Sequence, residues 1–265
     1  MNSKDPLGDR MKAYEAVETE RKFDITKPIY ARIDGRSFSK FTKKMDRPFD
    51  IRMTNAMIET TKYLVESTHA NMGYVQSDEI SLVWDGKAGN GDAFFGGKIQ
   101  KQCSVLASMA ASKFSLEYFN QFGSMTQACP HFDCRVIQMP DRTEATNMML
   151  WRELDARKNS VSMLAQHYYS HKELQGKGQA DMIEMLAAKS VNLDDHPTAF
   201  SRGSWIRRIV EDRVLTADER AAIPEKHRPS ETTIVQCSKI VVVDMPKFNT
   251  VANREEVIFD GALPT

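Results

Sequence analysis

Met72-Gly73-Tyr74-Val75-Gln76-Ser77-Asp78-Glu79-Ile80-Ser81-Leu82-Val83-Trp84 places two short runs of β-forming residues on either side of a tight polar centre, Ser77-Asp78-Glu79. Such a pattern predicts a hairpin. Upstream, Ile29, Ala31 and Ile33 alternate along a strand that stops at Asp34-Gly35. Between the two, Arg47-Pro48-Phe49-Asp50 halts the chain, and Asp50 can cap a helix running through Met53, Met57 and Thr61 to about Glu66. Downstream, beyond a glycine-rich loop from Gly86 to Gly97, residues 99–119 carry Val105, Ala107 and Met109 at helical spacing, and residues 132–139 alternate as a strand ended by Pro140. The order β-α-β-β-α-β is the split βαβ, ferredoxin-like arrangement, so the expected fold class is α+β.

Around this unit, residues 5–22 read as a polar helix broken by Lys27-Pro28. A long helical region runs from Thr143-Glu144 through Trp151 to Tyr169, and the loop Gln175-Gly176-Lys177-Gly178 separates it from a helix over 180–189. Residues 204–210 and 233–243 read as a C-terminal β pair joined by a charged, Pro-containing insertion, 211–232. The expected organisation is a catalytic domain over 1–140 with an appended helical and β region over 141–265, packed as one unit.

The 36 Lys and Arg balance 36 Asp and Glu, with 41% hydrophobic residues, which excludes a disulfide-dense scaffold, a collagen-like repeat and long disorder. No run approaches the roughly 20 apolar residues of a membrane span, and the polar start predicts a cytosolic protein with no membrane partner. Cys103, Cys129, Cys134 and Cys237 show no CxxC spacing and read as reduced thiols. Net charge is silent about nucleic acid, because phosphate is attracted by a local patch.

The chemistry lies at two turns. A right-handed crossover makes the first two strands parallel, so the end of strand one and the turn after strand two share one sheet edge and Asp34 meets Asp78. Each motif alone reads as a solvated turn; together the carboxylates offer hard oxygen ligands for Mg²⁺, as in a nucleotidyl-transfer palm. Gly35 allows close backbone approach to a metal or phosphate. Arg36, Lys40, Lys43, Lys44 and Arg47 follow where a triphosphate would sit, and Ser37 and Ser39 add donors.

Arg32-Ile33-Asp34-Gly35-Arg36-Ser37-Phe38, Gln76-Ser77-Asp78-Glu79, Phe132-Asp133-Cys134-Arg135 and Trp151-Arg152, in this order, resemble the tRNA-His guanylyltransferase superfamily. The opening Leu7-Gly8-Asp9-Arg10-Met11-Lys12-Ala13-Tyr14-Glu15 is similar to its bacterial-type branch, whose members add nucleotides in the 3′-to-5′ direction. The resemblance implies a polymerase-like palm acting on the 5′ end of tRNA, with ATP activating a 5′-monophosphate end, GTP or another nucleoside triphosphate as substrate, and a homotetrameric assembly. It implies two Mg²⁺ ions held by Asp34, Asp78 and the Gly35 carbonyl, with Glu79 in support. It further implies a nucleotide cradle made of Asp34, Gly35, Arg36, Ser37, Phe38, Ser39, Arg47, Ser77 and Asp78. Arg47 stands where many relatives have Lys, Asp50 matches a residue important in the family, and Phe49 replaces a neighbouring Asn. Eukaryotic relatives carry a His-x-Asn-Asn-type motif after Trp-Arg, whereas this chain has Asp155-Ala156-Arg157-Lys158-Asn159-Ser160. That departure fits template-dependent repair of truncated 5′ ends better than addition of an unpaired guanosine, with Asn159 a candidate phosphate or tRNA contact.

Lys98, Lys101, Arg157 and Lys158 are candidate RNA contacts or equally a solvated surface. Arg202, Arg207 and Arg208 around Trp205 suggest a nucleic-acid patch, although a strand with Trp205 in the core explains the aromatic as well. His167 and His171 lie four apart on the expected helix but lack a third ligand, and read as an ordinary pair. The loop from Gly91 to Lys98 resembles a P-loop only in glycine content, since Gly97 holds the lysine position; it reads as a mobile loop. Two other readings stay open: a palm enzyme acting on nucleotides alone, such as a cyclase or small-molecule nucleotidyltransferase, and a non-catalytic RNA-binding module.

Overall fold

The computed structural model describes residues 5–86, 94–124 and 129–265, so most of the glycine-rich loop lies outside the described residues. The expected hairpin forms from β2 (Met72–Gln76) and β3 (Glu79–Trp84), antiparallel, with Gln76 opposite Glu79. Ser77 takes a left-handed φ of 50° in the connecting turn, the conformation that suits the twist of a two-residue hairpin loop. β1 (Ile29–Gly35) lies along the other side of β3, and β4 (Phe132–Gln138) along β1, both antiparallel. β1 and β2 are therefore parallel with β3 between them, and the order β4-β1-β3-β2 is the one the β-α-β-β-α-β reading predicts.

The sheet does not stop there. β5 (Ser204–Val214) pairs with β2 through Gly73–Ile206, Tyr74–Trp205 and Val75–Ser204, and β6 (Ile234–Val243) pairs with β5 along its whole length. The C-terminal β pair is thus the continuation of one six-stranded antiparallel sheet, ordered β4-β1-β3-β2-β5-β6. It covers an edge that β2 would otherwise leave open. The first strand also runs further than its sequence suggests. Glu211, Asp212 and Arg213 look like loop, but they sit where β5 is paired only with β6, and on a two-stranded ribbon both faces meet water. Lys239 bridges Glu211 across the pair at 2.7 Å.

Helices follow in chain order: α1 (Pro6–Thr19), α2 (Phe38–Phe41), α3 (Ile51–Thr68), α4 (Ile99–Phe122), α5 (Arg142–Tyr168), α6 (His171–Leu174), α7 (Gln179–Ala188), α8 (Thr198–Ser201), α9 (Ala217–Ala222) and α10 (Arg254–Phe259). α3 and α4 cover one face, burying Ala31, Ile33, Ile80 and Leu82 against Met57, Leu64, Leu106 and Phe114. α5 crosses the opposite face over Tyr30, Met72, Tyr74 and Trp205, joined by α10. A smaller core of Val161, Leu164, Leu186, Leu193 and Phe200 holds the segment after α5. No helix among the described residues is long and apolar enough to cross a membrane.

One glycine fixes how β5 enters the sheet. Gly203 has φ +81°, and a Cβ there would lie 2.5 Å from the Tyr74 hydroxyl and 2.6 Å from the Val75 carbonyl. That hydroxyl donates to the Arg202 carbonyl at 2.6 Å. Gly203→Ala is expected to cost about 2 kcal/mol or more, from left-handed strain and the clash together; urea unfolding of both proteins measures it.

Candidate active site

The ends of β1 and β4 and the β2–β3 turn are stitched together by the backbone. The Gly35 amide donates to the Asp78 carbonyl at 3.1 Å and the Arg36 amide to the His131 carbonyl at 2.8 Å. Asp34 stands opposite Glu79 on β3 and Asp133 on β4. Asp34 and Asp78 line one cavity of about 520 Å³, so the convergence expected from topology is present. Burial pushes the Asp78 carboxyl above its usual range, and the neighbouring charge of Asp34 adds to the shift. A cation between them would relieve both effects. Among the described residues no group of three or more His, Cys, Asp or Glu is placed to hold a metal ion. A hard cation here could take Asp34 and Asp78 and fill its remaining positions with backbone, water and phosphate oxygens, the donor set Mg²⁺ commonly uses.

The loop after Asp34 frames the cavity. Ser37 takes φ 59°, turning the chain into α2, and Ser37, Ser39, Arg47 and Ser77 all line the cavity. Arg36, Lys40, Lys43 and Lys44 are exposed and do not line it. Phe38 lies beneath this loop. Although it borders the cavity, its ring is 3% exposed and packs against Phe41, Phe114 and Phe132 with centroids 5.0, 5.5 and 5.0 Å away. A Cβ on Gly35 would fall 2.4 Å from that ring. The glycine is thus demanded by Phe38 beneath the loop, whatever binds above it. Asp50 caps α3 as expected: its carboxylate accepts from the Arg52 and Asp46 amides at 3.0 and 3.2 Å, and the Arg52 side chain holds it below the ordinary range.

Most of the far wall is not legible in the sequence. Asn159, Ser160 and Met163 come from α5, and Ala199 and Phe200 from α8. Phe49 stacks on Phe200 with centroids 4.6 Å apart and planes 18° from parallel. No local pattern pairs two rings so distant in the chain. Asn159, the candidate phosphate or tRNA contact on this wall, also reaches Asp155 through its amide at 3.5 Å.

Glu79 is buried and turned into a bidentate pair with Arg152 of α5, at 2.6 and 2.7 Å. The remaining basic candidates are scattered. Lys98 occupies the N-cap of α4, Lys101 sits over the Phe95 ring at 4.8 Å, Arg157 pairs with Asp194 at 3.0 Å, and Lys158 is exposed.

The arginine patch around Trp205 does not assemble as one surface. β5 is paired on both sides at residues 205–206, so its alternate side chains enter the layers on either face. Trp205 is buried and donates to Glu153 at 2.9 Å. Arg207 is 7% exposed and donates to the Val257 and Ala262 carbonyls at 3.4 and 2.9 Å, anchoring the C-terminal segment. Arg202 reaches the Met245 carbonyl, and Arg208 reaches Ser238 and the Glu66 carbonyl. His167 and His171 are not on one helix: α5 ends at Tyr168 and His171 opens α6.

Sheet order, carboxylate pair and cavity define an α+β protein with an acidic cleft at one end of an antiparallel sheet. The family profile described as tRNAHis guanylyltransferase (Thg1) matches residues 8–140. The chain is similar to a bacterial tRNA(His) guanylyltransferase (Thg1)-like protein solved in complex with ATP, at 37% identity and TM-score 0.72, covering 76% of this chain and 88% of that one. It is also similar to a bacterial Thg1-like protein in complex with GTP, at 30% identity and TM-score 0.70, over 92% and 94%. The tRNA(His) guanylyltransferase of Schizosaccharomyces pombe is 26% identical over 233 residues, 81% of this chain and 88% of the relative. The chain belongs to the tRNAHis guanylyltransferase family.

Proposed function

We propose that the protein is a Mg²⁺-dependent nucleotidyltransferase that adds nucleotides to tRNA 5′ ends in the 3′-to-5′ direction, repairing truncated ends against the opposite strand. The observation that carries this reading is the cavity that Asp34 and Asp78 share with Ser37, Ser39, Ser77 and Arg47. Its volume suits a nucleoside triphosphate. In this reading residues 1–140 form a polymerase-type palm, and Asp34, Asp78 and the Gly35 carbonyl hold Mg²⁺. When bound, the ions would neutralise phosphate charge and lower the pKa of an attacking hydroxyl.

Ser37, Ser39 and Ser77 donate to phosphate oxygens, and Arg47 presents its planar fork to the triphosphate. The Phe49–Phe200 stack supplies an apolar wall against which a base can lie. A 5′-monophosphate oxygen attacks the α-phosphorus of ATP and pyrophosphate leaves. The 3′-hydroxyl of the incoming nucleotide then attacks the activated 5′-phosphorus, its proton is lost, and AMP leaves with the electron pair. The absence of the His-x-Asn-Asn-type motif favours templated repair over unpaired guanosine addition, with Asn159 on the cavity wall as a contact to phosphate or tRNA. A homotetramer is the expected assembly, read by analytical ultracentrifugation.

The test is incubation of 5′-monophosphorylated tRNA with α-labelled ATP and Mg²⁺. Label should move to the RNA as a 5′-adenylylated end. Label converted with no RNA present would instead support an enzyme of free nucleotides, and tRNA binding without any transfer would support a binding module. Arg47→Ala is expected to raise KM for the nucleotide about tenfold to a hundredfold with kcat changed less, since a charge-assisted phosphate contact contributes on the order of 1.5–3 kcal/mol; steady-state kinetics in the nucleotide checks it.

A further inference from the structure

Arg152 is 4% exposed and carries out a task that the cavity alone does not explain. Its Nε donates to one oxygen of Glu79 at 2.6 Å and its Nη2 to the other at 2.7 Å, while Nη2 also reaches Asp155 at 3.0 Å. The Trp151 ring lies 4.5 Å from the guanidinium carbon. Both oxygens of Glu79 are therefore engaged. Glu79 nevertheless follows Asp78 directly and stands opposite Asp34 across the β1–β3 pair, so an unengaged carboxylate here would add a third negative charge beside the other two.

We propose that Arg152 is a positioning residue: by occupying Glu79 from α5 it withholds that carboxylate from the cation and holds the β2–β3 turn that carries Asp78. The inference rests on the metal-dependent reading above and deepens it. A two-carboxylate site leaves a cation free to take phosphate and water oxygens, whereas a third carboxylate would bind it more tightly and compete with the substrate. Only a planar fork engages both oxygens at once, so Lys is not an equivalent replacement. Removing the guanidinium leaves a buried carboxylate without a partner, a costly state that pairing with a cation held at Asp34 and Asp78 would relieve.

Mn²⁺ binding to the full-length protein, followed by electron paramagnetic resonance of the free ion without nucleotide, separates the possibilities. Arg152→Met should tighten Mn²⁺ binding threefold or more and lower kcat tenfold or more, with KM for the nucleotide within threefold. Arg152→Lys should fall between, and the double variant Arg152→Met with Glu79→Gln should return Mn²⁺ affinity to that of the parent. Glu79→Gln alone should change it less than threefold. A loss of tenfold or more in Glu79→Gln makes Glu79 a ligand and overturns the proposal, as does unchanged or weaker Mn²⁺ binding in Arg152→Met. If Arg152→Met does not fold, Glu79→Gln alone decides, its threefold limit being the dividing line. Failure of the parent itself to bind Mn²⁺, with Asp78→Asn indistinguishable from it, would remove the metal reading and this inference together.

Discussion

Asp78→Ala is expected to abolish nucleotide addition, lowering kcat by about a thousandfold or more, while circular dichroism and tRNA binding stay close to those of the parent. Loss of a carboxylate that holds a catalytic cation removes charge stabilisation present chiefly in the transition state, so the effect falls on kcat more than on KM. Fold should persist because the turn is held by backbone, with the Asp78 carbonyl accepting from Gly35. The same residue makes a second, independent forecast through pH. Burial raises the Asp78 carboxyl above its ordinary range, so the unfolded chain ionises it before the folded chain does. Stability of the metal-free protein is then lost as pH rises from the unfolded value through the folded one. Asp78→Asn should therefore melt at a higher temperature than the parent in EDTA near neutral pH, and the gain should shrink towards pH 4. Thermal melts across that range check it, and an unchanged difference at every pH would rule the buried carboxylate out as the cause.

Gly35→Ala carries the second large effect. The added methyl would sit 2.4 Å from the Phe38 ring. Phe38 cannot retreat, since Phe41, Phe114 and Phe132 surround it. Overpacking of this kind costs about 1–3 kcal/mol, and the easiest relief is for the 35–39 loop to lift into the cavity. Nucleotide affinity should fall about tenfold to a hundredfold. Phe38→Leu in the same chain makes room for the methyl, so the double variant should recover part of that affinity. Calorimetric titration with a non-hydrolysable triphosphate measures both. A double variant no better than Gly35→Ala alone would place the strain elsewhere.

Local chemistry made much of this site legible. Asp34-Gly35 and Ser77-Asp78-Glu79 announce turns by residue type, the crossover rule puts those turns on one edge, and Asp50 declares a helix start three residues before Met53. Contacts made only by distant pairing were not legible. Glu79 reads like a companion of Asp78, but it is claimed by Arg152, 73 positions away. Phe38 lies inside a phosphate-like motif yet serves as the floor beneath it. Arg207 looks like half of a basic patch, and its burial follows only once β5 is known to enter the sheet beside β2. The Phe49–Phe200 wall depends on a third core that periodicity alone does not place.

Reverse-direction addition at a tRNA 5′ end is tested by a single assay. Purified protein is incubated with Mg²⁺, labelled nucleoside triphosphates and a tRNA lacking its first 5′ nucleotide, and the RNA is scored for growth at that end. Extension by the one nucleotide complementary to the opposing strand is expected, dependent on Mg²⁺ and lost in Asp78→Ala. No extension at the 5′ end, with nucleotides consumed equally in the absence of RNA, would contradict it.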